Sequence, residues 1–453
     1  MDICIIGGGI SGVSAASIIS NIAKKNNKKV NITLFEKSER LGGSVYTKEN
    51  NGFRIEAGPN GFLNNKTSTL NLFKEANLSN LLIKSNDASR IRYIYKDNKL
   101  VKLPEKPIEF LKSDILSLKG KLRVLGEFFV PKKKDNYDET IADFAERRLG
   151  KEAKDYLIAP MVSGVFAGDI SKLSLKASFP TIYELEKDYG GLFKGLFKKK
   201  DKKSGPSGPK SILISCKGGL YNGLIALSEQ NKHLDLKLNE EVISIDNENK
   251  ISVNTTKNNY NFDKIILTIP AYNLSNVIKG LDSELSYLFS TIKYAPACVV
   301  GLGFSNESLP DPLKGFGFLI PPKENKKILG ILFTSSIFPE RAPDNHKLIR
   351  IILGGDGNEW ILQKNTKELI ELAYSQAKDI LKIKGKPIVE ECFLFEKAIP
   401  QYYVGHYEKV KKIENILNKY NNIYIGGNIL YGISMNDCTA QSYKIAEKIF
   451  KEV

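Results

Sequence analysis

The stretch DICIIGGGISGVSAASIIS, residues 2–20, constrains the fold more than any other part of the chain. A short apolar run passes through Gly7, Gly9 and Gly12 into a segment rich in Ala, Ser and Ile, which reads as strand, glycine turn and helix. In G-x-G-x-x-G the first glycine permits the tight turn and the second lets backbone approach a pyrophosphate. The third lets helix and strand pack closely, and the helix N-terminus faces the phosphates. The motif alone is a weak signal, but a second strand, VNITLFE, follows and ends on Glu36, where a carboxylate can accept ribose hydroxyls. Glu36 lies further along than the usual spacing of about 20 residues. The polar insert NIAKKNNKK accounts for the extra length.

The next residues choose between dinucleotides. ERLGGSVYT follows the second strand directly, and Gly42 and Gly43 let its backbone pass beside a bound nucleotide. KENNGFRIEAGPNGF carries an Asn51-Gly52 hairpin signal between two runs of strand character, then a turn at Gly58-Pro59 directed back toward the site. No second G-x-G-x-x-G marks a separate nicotinamide domain, so the second glycine pair fits FAD.

At 453 residues the chain exceeds what one core organises, so two or three domains are expected. Lys and Arg number 67 against 51 Asp and Glu, a net +16 that suits anionic partners or reflects general Lys enrichment. Cys4, Cys216, Cys298, Cys392 and Cys438 are scattered without a C-x-x-C pair, arguing against a disulfide framework or zinc site and for a reducing compartment. The chain opens on strand character, so no signal or transit peptide is expected. No apolar run nears the ~18 residues of a membrane span. The expected location is the cytoplasm, peripheral on the inner face of a membrane.

IIGGGISG, FEKSERLGGSVYT and EAGPNGF resemble the N-terminus of the protoporphyrinogen oxidases, within the flavin amine oxidase superfamily. The resemblance continues in order through APMVSGVFAGDISKLSLKASFP, CKGGLYNGLIALSE, GFGFLIPP, LGILFTSSIFPERAP, AIPQYYVGHYEK and IYIGGNILYGISMNDCTAQSYKIAEKI, nearly the whole chain. It implies an α/β fold: a split Rossmann-type FAD-binding domain (1–85, 211–275 and 391–453), an α+β substrate domain (86–104 and 276–390) and a mainly helical membrane-contact region (105–210). TIADFAERRLG shows the helical logic, with Thr140 as cap, Ile141, Phe144, Ala145 and Leu149 on one face, and Gly150 as terminator. In GLFKGLFKKKDKKSGPSGPK, Leu192, Phe193, Leu196 and Phe197 precede a lysine run, which reads either as a peripheral anchor on acidic lipid or as a solvated loop.

The implied activity is FAD-dependent oxidation of protoporphyrinogen IX to protoporphyrin IX with oxygen as acceptor, a late step of haem biosynthesis. Coproporphyrinogen III is the alternative substrate, and a non-catalytic flavin-binding or membrane-scaffold protein the remote one. The expected cofactor is non-covalent FAD, held by Gly7, Gly8, Gly9, Ile10, Ser11 and Gly12, with Glu36. The resemblance adds Lys37, Gly43, Ser44, Gly58, Pro59, Asn60, Gly61, the backbone of Val242, and Ile433, Ser434 and Met435. It places Leu319, Leu332 and Ile352 against the macrocycle and Gly164 beside it. Arg92 pairs with a propionate through its planar fork, with Arg90 as the competing partner. Family members often carry an aromatic at the Ile352 position and a basic or bulky residue at Ser44. No acid or base residue is assigned: His233 and His346 lie in polar stretches, and His406 reads as packed or solvated. No nucleic-acid motif emerges, and a homodimer is the expected assembly.

Overall fold

The computed structural model describes residues 1–135, 137–198, 211–231, 234–247, 250–309 and 313–451. His233 and the basic segment from 199 to 210 lie outside the described residues.

A five-stranded parallel sheet organises the first domain, in the spatial order Leu234–Lys237, Asn31–Phe35, Asp2–Ile6, Lys264–Leu267 and Ile423–Ile425. The opening strand shows why it lies near the centre. Ile3 and Ile5 point to one face, where the helices Ile10–Lys25 and Met435–Lys451 cover them. Cys4 and Ile6 point to the other, against a three-stranded antiparallel sheet (Val242–Asn247, Ile251–Thr255, Asn259–Phe262) and three helices. A strand covered on both faces must be apolar at consecutive positions, and DICII is.

The second domain is a seven-stranded sheet in the order Val389–Pro400, Tyr294–Ser305, His346–Gly354, Ile328–Leu332, Gly317–Leu319, Arg92–Lys96 and Lys99–Lys102. Helix Thr366–Leu381 packs on one face, closed at its N-terminus by a capping box of Asn365 and Glu368. The hairpin at 92–102 joins this sheet through a parallel pairing with Gly317–Leu319. Two boundaries differ from those expected. Residues 391–400 complete this sheet as its edge strand, because they pair with Tyr294–Ser305. Helix Ser283–Ser290 instead buries Leu285 and Phe289 in the core of the dinucleotide domain.

Residues 107–198 are mainly helical. Helix Ile141–Leu149 starts on the Thr140 side chain, which accepts from the Asp143 N–H, and ends at Gly150 with φ of 89°. Its Arg148 is fully buried and ion-paired with Glu127 and Glu186. Glu127 also accepts the backbone N–H groups of Leu192 and Phe193, fixing helix Leu192–Lys198 to this region.

Candidate active site

The carboxyl ends of the parallel strands converge on the glycine turn. Gly7 takes a φ of +106°, and a Cβ on Gly12 would stand 1.9 Å from the Gly7 carbonyl oxygen, so only glycine lets the helix reach the turn. The Gly8 N–H donates to Glu36 Oε2 at 2.8 Å, while Glu36 Oε1 accepts from the Ser38 N–H at 2.9 Å. Glu36 is thereby anchored at the strand end with lone pairs to spare. The second glycine pair lies directly on the first: the Gly42 N–H donates to the Gly8 carbonyl at 2.8 Å, and Gly9 bridges Gly42. A Cβ on Gly9 would meet nothing nearer than Gly42 O at 4.0 Å. Ile10 and Ser11 open a helix with no side-chain cap, which leaves N–H donors for an anion.

At one end of this cradle the segment preceding Val242 runs along Glu36–Ser38. The Asn239 N–H donates to Ser38 O at 3.0 Å and the Glu240 N–H to Glu36 O at 3.1 Å. Lys37 comes within 4.0 Å of Glu241, so Glu36, Lys37 and the start of strand Val242–Asn247 lie at one end of the cradle. At the other end, the turn Gly58-Pro59-Asn60-Gly61 is pressed between two backbones. A Cβ on Gly58 would lie 2.2 Å from Ser44 O, and one on Gly61 2.4 Å from Ile214 O. The buried Asn60 amide has neither its nitrogen nor its oxygen bonded among the described residues. Ser434 Oγ donates to Asp437 Oδ2 at 2.6 Å, and Asp437 is ion-paired with Lys66. These bonds fix Ile433, Ser434 and Met435 at the start of the final helix, which lies on the first through Ser442 Oγ and Ser11 O, 3.1 Å apart.

A buried amide without partners is costly unless something bonds it, and an uncapped helix N-terminus calls for an anion. The residues present therefore fit a dinucleotide carrying a polar ring system, as FAD does.

The expected substrate residues share one face of the seven-stranded sheet. Strand register sets Val299, Ile352, Gly330, Leu319 and Ile94 in one row. It sets Gly301, Arg350, Leu332, Gly317 and Arg92 in the next. This face looks toward the turn Gly58–Gly61 because Gly301 and Gly303 lack side chains. Cβ atoms there would stand 2.5 Å from Ile55 and 2.7 Å from Phe53, so the hairpin Thr47–Glu56 lies flat on the sheet and delivers Gly58. Gly164, in helix Ala159–Phe166, faces Leu319, whose Cδ2 would be 2.6 Å from a Cβ there.

Arg92 ends its row on a cavity of about 240 Å³, shared with Arg90, Asn86, Glu105 and Phe316. Its guanidinium lies 5.5 Å from the Phe316 ring. Burial lowers its pKa, against the charge of Glu105. Arg90 lines the same cavity, but is half exposed and paired with Asp87 at 3.1 Å.

Sequence reading missed a buried charge set beneath the turn Gly58–Gly61. Arg350 is fully buried and donates to the Gly58 carbonyl at 2.6 Å. Arg341 stands 3.1 Å from Glu56, whose carboxylate also accepts from Thr47 Oγ1 at 2.8 Å and the Leu220 N–H at 2.9 Å. Burial raises the Glu56 pKa and lowers that of Arg350 to about 10, still cationic at neutral pH. The signal was present: in KLIRIILGG and FRIEAGP a charge interrupts an apolar strand. His406 is packed, its ring stacked on Tyr402 at 4.2 Å and Nε2 3.2 Å from Leu430 O. Burial lowers its pKa to about 4.

A dinucleotide cradle sealed against a sheet face that carries an apolar strip and a buried arginine defines a flavin-dependent oxidoreductase. Comparison with known proteins gives the particular family. The family model described as flavin-containing amine oxidoreductase matches residues 10–450, and the chain belongs to that family. It is 30% identical to the coproporphyrinogen III oxidase of Bacillus subtilis (strain 168), over 97% of this chain and 96% of that protein. It is also 30% identical to protoporphyrinogen oxidase 2, chloroplastic/mitochondrial, of Arabidopsis thaliana, over 99% of this chain and 93% of that one. Among solved structures, one assigned to a protoporphyrinogen oxidase of Exiguobacterium sp. 255-15 superposes with a TM-score of 0.84 at 24% identity, covering 100% and 99% of the two chains. Reduced UDP-galactopyranose mutase superposes at 0.76 with 17% identity over 100% and 96%. Its different chemistry shows that this fold leaves the substrate open.

Proposed function

We propose that the chain oxidises protoporphyrinogen IX to protoporphyrin IX, with oxygen as final electron acceptor, in the late part of haem biosynthesis. The observation that carries this reading is the pair of registered rows: apolar side chains and glycines forming a flat strip, with Arg92 at one end and the flavin-side turn over the other. A porphyrinogen is a wide apolar ring with carboxylate arms, and such a strip matches both features.

Bound FAD supplies the two-electron acceptor for each oxidation step. Leu319, Leu332 and Ile352 orient the ring by contact and exclude water, and Gly164 leaves room for its edge. Arg92 takes a carboxylate arm, which returns a counter-charge to a desolvated cation. The ten positions of the two rows hold no His, Lys or carboxylate, and the next residue on the edge strand, Glu391, is bonded to Asn50 at 2.8 Å, which fits proton release to solvent or by tautomerisation.

Coproporphyrinogen III is the second reading, favoured by the name of the Bacillus relative. Its four carboxylate arms, against two, would call for more cations than Arg92 alone. The deciding experiment follows porphyrin fluorescence with purified protein in air, giving each porphyrinogen separately beside an enzyme-free control. Faster protoporphyrin formation supports the main reading, and strong preference for coproporphyrinogen moves the enzyme to the second. Acceleration of neither, with flavin bound, sinks both.

We propose that any contact with a membrane is made by the helical region. Leu118, Leu122, Leu125 and Phe129 follow helical spacing yet face solvent, with Leu118 74% and Phe129 83% exposed. Leu196 and Phe197 are exposed on helix Leu192–Lys198, which packs beside them through Lys194 over Phe128 at 5.1 Å. Among the described residues no helix is long and apolar enough to cross a membrane, so contact would be peripheral. Flotation with anionic vesicles should carry the protein upward, and Leu122→Asp should abolish it.

A further inference from the structure

The buried charges under the flavin-side turn are unequally matched. Arg341 has carboxylates on both sides, Glu56 at 3.1 Å and the partly exposed Glu340 at 3.4 Å. It also donates to Ser215 Oγ at 2.7 Å. Arg350 has no carboxylate within ion-pair distance among the described residues. Its one bond reaches a neutral backbone oxygen, Gly58 O, and its Nε is buried without a partner. An arginine cannot shed this charge at neutral pH, and a desolvated charge acts strongly on its neighbours. Packing alone does not call for it, since the same row continues with Leu332 and Gly301.

We propose that Arg350 is a positioning residue that sets a permanent positive charge behind the turn Gly58–Gly61, where it favours the reduced state of the bound flavin. Each oxidation step moves a hydride, two electrons with one proton, from a substrate ring carbon to the flavin, which gains one negative charge while the substrate later releases a proton to solvent. A fixed cation one turn away offsets that added charge without rearrangement. The inference rests on the reading of Gly58–Gly61 as flavin-facing.

The test compares holoenzymes of the wild type, Arg350→Gln, which can still donate to Gly58 O, and Arg350→Lys, which keeps the charge. The midpoint potential of bound FAD is measured by dye equilibration, without substrate. The Gln variant should shift the reduced-to-oxidised ratio at least about tenfold toward oxidised, about 30 mV for a two-electron couple. The Lys variant should restore most of it. A Gln variant that holds FAD at the wild-type potential overturns the proposal, whereas a wild type that binds no flavin overturns the site reading instead. If neither variant retains FAD, sulfite titration of the wild type decides. A cation near the ring stabilises the anionic adduct, so bleaching at millimolar sulfite supports the proposal and its absence overturns it.

Discussion

Replacing Arg92 by Met separates a functional arginine from a structural one, because the two make opposite predictions for stability. The guanidinium is partly buried, carries a burial-lowered pKa, and among the described residues meets only the Phe316 ring at 5.5 Å and the more distant charge of Glu105. A cation in that state costs the folded chain desolvation that no ion pair returns. Arg92→Met keeps the stem volume and removes that cost, so the thermal midpoint should stay level or rise. Under the proposed function a substrate carboxylate would supply the missing partner, and a hydrogen bond to a charged group is worth about 1.5–3 kcal/mol. At 1.36 kcal/mol per tenfold, kcat/KM should fall roughly 10- to 150-fold. Arg90→Met is the matched control: half exposed and already paired with Asp87, it should change kcat/KM less than about fivefold. Initial rates of porphyrin fluorescence with scanning calorimetry on the same preparations give both quantities. A thermal midpoint several degrees lower, with kcat/KM within twofold of wild type, would refute the assignment and make Arg92 a structural residue.

Three further outcomes are expected. Gly12→Ala places a methyl 1.9 Å from the Gly7 carbonyl, so the turn must move. Such overpacking costs about 1–3 kcal/mol, and the protein should fold yet emerge from gel filtration without flavin absorbance. Glu127→Gln leaves Arg148 buried without its main counter-charge and weakens the acceptor for Leu192 and Phe193. Urea unfolding should show a loss of about 3 kcal/mol, and a midpoint equal to wild type would mean the pair contributes nothing. His406 is neutral when folded, its pKa moved from 6.5 to about 4, so the unfolded chain binds more protons between those values. Its contribution is complete above pH 6.5 and is lost as pH falls to about 4, about 3 kcal/mol in all. His406→Gln should flatten that acid limb in pH-dependent denaturation.

Much of the cofactor end was legible because backbone geometry, not side-chain packing, defines it. Gly7, Gly12, Gly42 and Gly58 sit where a Cβ would strike a backbone oxygen or where φ is positive, and such requirements show in sequence as glycines at fixed spacing. The substrate end was less legible. Leu319, Leu332 and Ile352 came from family resemblance, since nothing in GFLIP or GILF separates a slot-lining Leu from a core one. Only strand register shows that they share a face while Ile331, Ile351 and Leu353 turn toward helix Thr366–Leu381. The domain boundary at 390 failed for a related reason: CFLFEKAIP reads as a strand, but which sheet it joins depends on pairing with residues nearly 100 positions away. The proximity of Cys298 and Cys392, scattered in sequence, was hidden likewise: their sulfurs lie 3.5 Å apart on neighbouring strands.

The buried arginines show what kind of signal survives at long range. Register cannot be read from one strand, but the cost of a charge in an apolar strand can, because a buried cation must be compensated wherever the strand goes. Arg341 is compensated within the protein, by Glu56 and Glu340. Arg350 and Arg92 form no ion pair among the described residues and feel only the more distant charges of Glu56 and Glu105, and they stand in the two halves of one row, the first against the turn Gly58–Gly61 and the second lining the cavity. An isolated fold would gain by replacing either with Leu or Met. Their presence makes sense when negative charge arrives from outside the chain, a carboxylate arm at Arg92 and transferred electrons near Arg350. The same ledger predicts that both replacements leave the protein at least as stable while depriving it of different things: Arg92→Met of substrate affinity, Arg350→Gln of flavin potential.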